Sequence, residues 1–479
     1  MSQNVDGVSA DDPLALALRP PPDEAPDARA RRLEREADAR RVSQAIDDAI
    51  RAERAANKKK KIVRVLLLGQ SESGKSTTLR QFQRIYTPSA FREDRIYWRS
   101  IIQLNLIRSV HTILAALAAA PAPLAHAHHP NGLSNGHTPA LAWDEDAEDL
   151  EQLAIRLLPL RHAEALLKAK LVPSDEEEPV DLGAAQPRRE VSVRPGRWRG
   201  LLRAAMGGGG LAASAAAATA TAAAALEPDV CQRALCECRE AISALWASPR
   251  VRTVLAAHKV RLEEESGFFL DDVERIARPE YVPTDDDVLR ARLKTVGVSE
   301  YKFEMEAGGQ RGTEWRIVDV GGSRFQRPTW APFFDDVDAI IFLAPISAFD
   351  QVLLESVPAR INRLEDSVLL WKAICSNRLL AHVDLVLFLN KCDILQRKLD
   401  AGIPLARYVK SYGDRPNDVE AASKYFRTKF AAIQRASSPL PRKFYGFCTS
   451  VTDTASTSGI LASVRDIVLR QNLRHVKLA

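Results

Sequence analysis

Five short apolar runs stand out along the chain, at Ile62–Leu68, 315–318, 339–344, 385–389 and 444–447. Runs of this length and continuity predict strands buried on both faces, as in a parallel sheet, and the amphipathic patterns between the later ones supply helices to wrap it. A long stretch of different character separates the first run from the rest. In it, 101–117, 149–171 and 234–246 carry apolar residues at helical spacing. They are separated by LAHAHHPNGLSNGHTPA, a charged PSDEEEP run and a Gly/Ala tract at 207–225, which read as low-complexity insertions. The expected architecture is an α/β unit with a mostly parallel sheet, split by an inserted helical unit. Ahead of it, residues 1–26 have the composition of a disordered tail, and 27–57 predict a charged helix with a thin apolar stripe of Leu33, Val42, Ile46 and Ile50. Two readings of that helix stand, a partner-binding face and a freely solvated rod.

In an open α/β sheet the ligand lies beyond the carboxyl ends of the strands, so the residues after each run carry the chemistry. The first run ends at Gly69, which opens G-x-x-x-x-G-K-[ST] with Gly74, Lys75 and Ser76. Glycines let backbone N–H groups wrap a pyrophosphate, a helix start presents its positive end, Lys75 serves the outer phosphates and Ser76 serves Mg2+. Val318 leads into Asp319-Val320-Gly321-Gly322, a D-x-x-G in which an Asp can hold Mg2+ through water and a glycine N–H can meet the γ-phosphate. Leu389 leads into Asn390-Lys391-Cys392-Asp393. In this N-K-x-D one carboxylate can accept both the ring N–H and the exocyclic amine of guanine, and adenine presents the wrong pattern to it. Phe447 leads to Thr449-Ser450-Val451, whose backbone can meet the guanine carbonyl. The three motifs in this order point to a GTP-binding protein. An ATP-using enzyme would require the N-K-x-D to be accidental.

Composition adds bounds. At 479 residues with 46% hydrophobic content the chain can bury a large core, and a net charge of +5 implies no nucleic-acid partner. Six cysteines without regular pairing fit a reducing compartment, and Cys231, Cys236 and Cys238 lack zinc spacing. His126, His128 and His129 sit in a linker and read as solvated. We expect no secretory signal and no twenty-residue apolar span. Ser2 stands where N-myristoylation needs glycine, so membrane contact would be electrostatic or borrowed from a partner.

The segments FLDDVERIARPEYVP, DVLRARLKTVG, WRIVDVGG, AIIFLAPISAFDQVL, NRLEDS and FLNKCD resemble, in order, those of heterotrimeric G-protein alpha subunits, the likeness being to a divergent, fungal-like member. The resemblance covers about residues 58–110 and 234–479 and implies a Ras-like P-loop GTPase domain interrupted by an all-helical domain. Its implied parts are a tail and N-terminal helix (1–57), the first part of the GTPase domain (58–92), the helical insertion (93–285) and the second part (286–479). It further implies GTP/GDP and Mg2+ as ligands, with nucleotide contacts at Glu72, Ser73, Thr77, Leu289, Arg290 and Lys391 beside the motif residues. Arg292 would be a built-in arginine finger and Thr295 the second Mg2+ ligand beside Ser76. A beta-gamma dimer would bind the N-terminal helix, Arg327 and Trp330, and a G-protein-coupled receptor would read the C-terminal tail, at the inner face of the plasma membrane.

Departures from the family pattern change the expected mechanism. Ser323 stands where the family has the glutamine that orients the attacking water, and Ser71 replaces a loop glycine. Losing a water-positioning group costs on the order of 10² in rate by analogy with other positioned groups, while the binding residues remain. The chain is therefore expected to bind GTP and hydrolyse it slowly, with Gln326 or a regulator as alternative source of the water contact. The competing class is a GTP-bound scaffold with little turnover. Pro328 should strain or shorten the helix expected after Gly322, and Val476-Lys477 replaces the tail's usual Cys-Gly, which alters or removes receptor coupling.

Overall fold

The computed structural model describes residues 25–59, 62–119, 145–171, 192–193, 230–295, 297–304, 313–353, 361–450, 452–453 and 457–468. The expected disordered tail, the linker histidines, Val451 and the C-terminal tail lie outside these residues. A first unit ends at Ile62, and its helix is α1 (Pro26–Lys59). Ion pairs at helical spacing, among them Arg32–Glu36 and Arg51–Asp48, line its surface. Leu33, Val42, Ile46 and Ile50 are 41–56% exposed on it.

The second unit, from Val63, contains a six-stranded sheet. Its strands are β1 (Ile62–Leu68), β2 (Val298–Glu304), β3 (Glu314–Val320), β4 (Ala339–Pro345), β5 (Asp384–Asn390) and β6 (Tyr445–Thr449), in the spatial order β2-β3-β1-β4-β5-β6. β1, β4, β5 and β6 pair in parallel, with Val65 opposite Ala339, Ala339 opposite Asp384 and Leu389 opposite Cys448. β2 is an antiparallel edge strand on β3.

Successive side chains of a strand point to opposite faces, and the apolar runs use both. Leu66, Leu68, Ile340, Phe342, Leu385 and Leu387 pack on one side with Trp371, Leu395 and Phe430. These last three come from α9 (Arg363–Ser376), α10 (Cys392–Asp400) and α11 (Val419–Ser437). Val63, Val65, Leu67, Ile341 and Phe388 pack on the other with Leu79 and Phe82 of α2 (Lys75–Tyr86) and with Leu461 and Val464 of a helix at 457–468, α12.

A third apolar cluster runs from Phe91 to Ala291. It is built by α3 (Trp98–Ala119), α4 (Glu145–Arg156), α5 (Pro159–Leu171), α6 (Val230–Ala247) and α7 (Pro249–Ala257). Pro159 starts a new helix, because its missing N–H suits a first turn, so 149–171 is two helices rather than one. Cys231 and Cys238 are buried in this cluster. Contrary to the expectation of no such span, Pro88–Ala119 is long and apolar enough to cross a bilayer; 56% of its most apolar window is packed inside the protein.

α8 (Asp285–Arg290) leads from this cluster back towards the sheet. It starts at a capping box, Thr284 Oγ1 accepting from Asp287 N while Asp287 accepts from Thr284 N. Burial would raise the Asp287 carboxyl, but two bonds from Arg275, each 2.7 Å, and the Thr284 N–H hold it down at about 2.

Candidate functional site

The ends of β1, β3, β5 and β6 carry the loops that sequence reasoning singled out, and hydrogen bonds tie those loops together. β1 ends in two positions that side chains resist. Gly69 has φ +144°, and a Cβ there would lie 2.5 Å from the Leu343 carbonyl. Gly74, with φ 104°, caps the N-terminus of α2. That helix start leaves backbone N–H groups pointing into the loop, which is the physical basis of anion binding there. The Lys75 ammonium donates to the Gly69 and Gln70 carbonyls at 2.9 and 2.8 Å. Gly322 packs against the same loop, since a Cβ on it would sit 2.5 Å from Lys75 Nζ and from Ser71 N.

Ser76 Oγ donates to Asp319 Oδ2 at 2.7 Å, joining the phosphate loop to the end of β3. A hydroxyl and a carboxylate side by side are hard oxygen donors of the kind Mg2+ takes, so this pair fits the ion. Thr295 lies in a two-residue parallel ladder with Ser192–Val193. On the other side Asn390 Nδ2 donates to the Ser73 carbonyl at 2.6 Å, and Thr449 Oγ1 donates to Asn390 Oδ1 at 3.1 Å. Asn390 is therefore a brace between β5, β6 and the loop. Asp393 accepts from Ser450 Oγ at 2.8 Å and is exposed.

Glu72 has φ 59° and stands at the centre of a charge cluster. Its carboxylate meets Arg292 at 2.6 Å and Arg363 at 3.2 Å. Burial pulls the Glu72 carboxyl up, yet Arg292, Arg363 and Lys391 outweigh it and hold it at about 2. Burial likewise pushes the Lys391 amine down to about 8, against the attraction of Glu72. Lys391 adopts φ 64° at the start of α10.

Sequence reasoning missed Arg363 and Asn105. Arg363 donates to the Ser71 carbonyl at 2.8 Å, to Gln70 Oε1 at 3.2 Å and to Gln351 Oε1 at 3.0 Å, while its own carbonyl accepts from Gln70 Nε2 at 2.6 Å. This one side chain fixes the loop from outside. Asn105, on α3, holds Arg292 by its backbone, accepting from Arg292 N at 2.7 Å and donating to Arg292 O at 3.0 Å. The only signal for either was a polar residue inside a motif or an apolar helix. Arg290 is engaged by Asp272 and Asp287, and Leu289 is buried. Thr77 receives Arg80 Nη2 at 3.4 Å, and Arg80 also donates to the Val288 and Ala291 carbonyls, binding α2 to the segment before Arg292.

After Gly322 the chain forms a 3-10 helix, Arg324–Phe333, with Pro328 and Pro332 inside it. Ser323 caps this helix, and its hydroxyl bonds Gln326 Oε1 at 2.8 Å. Trp330, expected to meet a partner, is 2% exposed and donates its indole N–H to the Gly321 carbonyl at 3.0 Å. Arg327 forks onto Asp366, at 3.1 Å from Nη1 to Oδ1 and 2.5 Å from Nη2 to Oδ2. The exposed large side chain of this segment is Phe325, at 74%.

Comparison with known proteins bears on this arrangement. A sequence model of the family described as G-protein alpha subunit matches residues 40–468. The chain is 32% identical to the guanine nucleotide-binding protein alpha-4 subunit of Mycosarcoma maydis, over 97% of this chain and 95% of that protein. It is 28% identical to the alpha-1 subunit of the same organism, with 93% and 98% covered. With the alpha-1 subunit of Kluyveromyces lactis the identity is 27%, over 91% and 94%.

Proposed function

Because this chain belongs to the family of G-protein alpha subunits, and is thus a guanine nucleotide-binding subunit of a heterotrimeric G protein, we propose that it is a signalling GTPase with slow turnover. GTP would lie along the loop Gly69–Ser76, its outer phosphates met by Lys75, Ser76 and Gly322 and its base read by Asn390 and Asp393. Mg2+, held by Ser76 and Thr295 with Asp319 behind them, would neutralise charge on the phosphates. Arg292 would stabilise the charge that develops on the transferring phosphoryl group, a contribution of roughly 10³ to 10⁵ in rate for such arginines. The apolar cluster from Phe91 to Ala291 is read as the inserted helical domain, and Asn105 on it as the residue that aims Arg292. Downstream coupling to a receptor and binding of a beta-gamma dimer through α1 belong to the same reading.

The observation that carries slow turnover is Ser323. Its hydroxyl is engaged with Gln326, and a side chain of that length cannot reach both an attacking water and a phosphoryl oxygen. Arg292 beside the loop speaks for a switch that still turns over, since a scaffold has no use for a transition-state arginine. Single-turnover hydrolysis on purified protein tests this. Ser323→Gln should accelerate it on the order of 10²-fold, and an unaltered protein already as fast as S323Q would defeat the proposal.

A further inference from the structure

If Ser323 cannot orient the water, another group that can do so would set how fast the GTPase turns over, and one carboxamide lies near Ser323. Gln326 sits one turn further along the 3-10 helix, its N–H bonded to the Ser323 carbonyl at 3.0 Å. Its side chain does not point away along the helix but folds back over the D-x-x-G turn. A Cβ built on Gly321 would lie 2.1 Å from Gln326 Oε1, 2.5 Å from Cδ and 2.8 Å from Nε2. Gly321 thus leaves the space that the carboxamide fills. The next residue, Gly322, faces Lys75 Nζ and the loop at 2.5 Å. The carboxamide therefore lies against Gly321, the neighbour in sequence of the glycine that faces Lys75 and the loop.

Ser323 fixes it there. Its hydroxyl bonds one end of the amide at 2.8 Å, and a hydroxyl can donate or accept, so it serves either amide orientation. The other end of the amide is left to meet a water. We infer that Gln326 is the water-orienting catalytic residue of this GTPase and that Ser323 is its positioning residue, the two together replacing a single glutamine at position 323. The inference rests on the GTPase reading above. In the step, the water oxygen bonds the γ-phosphorus and the bond to the β–γ bridging oxygen breaks. That oxygen leaves on GDP with the electron pair, and the water proton ends on inorganic phosphate. A glutamine held by a bond to a neighbour is constrained in how it follows the water, which agrees with slow rather than absent turnover.

Single-turnover GTP hydrolysis tests the assignment, read beside GTPγS affinity and melting temperature. Gln326→Ala should slow hydrolysis about tenfold or more, with affinity changed less than twofold. Gly321→Ala offers an independent route, because its new methyl must evict the Gln326 amide, the far end of a flexible side chain. It should reproduce the loss, and the double variant G321A/Q326A should be no slower than either. In an S323Q background, where a longer side chain meets the water itself, Q326A should change the rate less than twofold. A purely structural role for Gln326 would instead lower the melting temperature and leave the rate per folded molecule unchanged. Hydrolysis by Q326A within twofold of the unaltered protein overturns this inference alone. No hydrolysis by the unaltered protein overturns the GTPase reading and this inference with it.

Discussion

Replacing Glu72 by glutamine removes the centre of the charge cluster without changing its shape. The carboxylate it removes pairs with Arg292 at 2.6 Å and Arg363 at 3.2 Å and is 24% exposed, so solvent screens it only in part. Its pKa falls from 4.5 to about 2 on folding, a difference on the order of 3 kcal/mol at 1.36 kcal/mol per unit. Because the folded-state value is the lower one, this stability is fully present above pH 4.5 and is lost as pH falls towards 2. A glutamine keeps one amide oxygen for the arginines, so the expected loss at pH 7 is smaller, about 2 kcal/mol, or roughly 3 to 8 °C in melting midpoint for a protein of this size. Thermal unfolding of both proteins at the same excess of GDP measures it, with GDP affinity determined alongside, since ligand bound to the folded state adds stability by mass action. The difference should hold between about pH 6 and pH 5, below the range in which Lys391 titrates, and shrink on further acidification. A difference under about 0.5 kcal/mol at pH 6, or one that widens as pH falls below 5, would refute the account of the cluster.

Three further outcomes follow from the site and core. Arg292→Ala should slow single-turnover hydrolysis on the order of 10³-fold while GTPγS still binds; a loss no greater than that of Glu72→Gln would reduce Arg292 to a structural partner. Asp393→Asn should weaken GTP binding by about 100-fold or more and admit xanthosine nucleotides, whose ring carbonyl can accept from the new amide, as competition binding would show. Trp371→Ala should destabilise the protein by about 3 to 5 kcal/mol. Its ring is wholly buried 5.1 Å from Phe342 and 6.2 Å from Phe430, and its N–H donates to the Phe430 carbonyl, so unfolding should shift without a change in guanine selectivity.

The parallel core of the fold was legible because its strands are apolar on both faces and need no context to be recognised. β2 was not, since Glu300, Lys302 and Glu304 alternate with partly buried Tyr301 and Phe303, the pattern of an edge strand that one charged face keeps from pairing further. The phosphate loop, D-x-x-G and N-K-x-D could be read directly, because each needs particular residue types at fixed spacing. What holds them could not. Arg363 and Asn105 act across 292 and 187 residues of sequence, and nothing local marks a side chain whose partners are so remote. Pro328 was expected to strain or shorten a helix, and the segment is a 3-10 helix; that the indole of Trp330 turns inward to Gly321 had no sign in the sequence.

The place of β1 in the middle of the sheet has a consequence for the newborn chain. Arg64 must find Asp338, 274 residues later, before the strand gains its parallel neighbour. At synthesis rates of about 5 to 20 residues per second, that is a wait of roughly 14 to 55 s. Meanwhile the buried residues of the helical cluster are all made by Ala291, whereas IVRVLLL remains an unpaired apolar segment of the kind that aggregates. The interval on the ribosome, more than any defect in the finished protein, is where this chain most needs a chaperone.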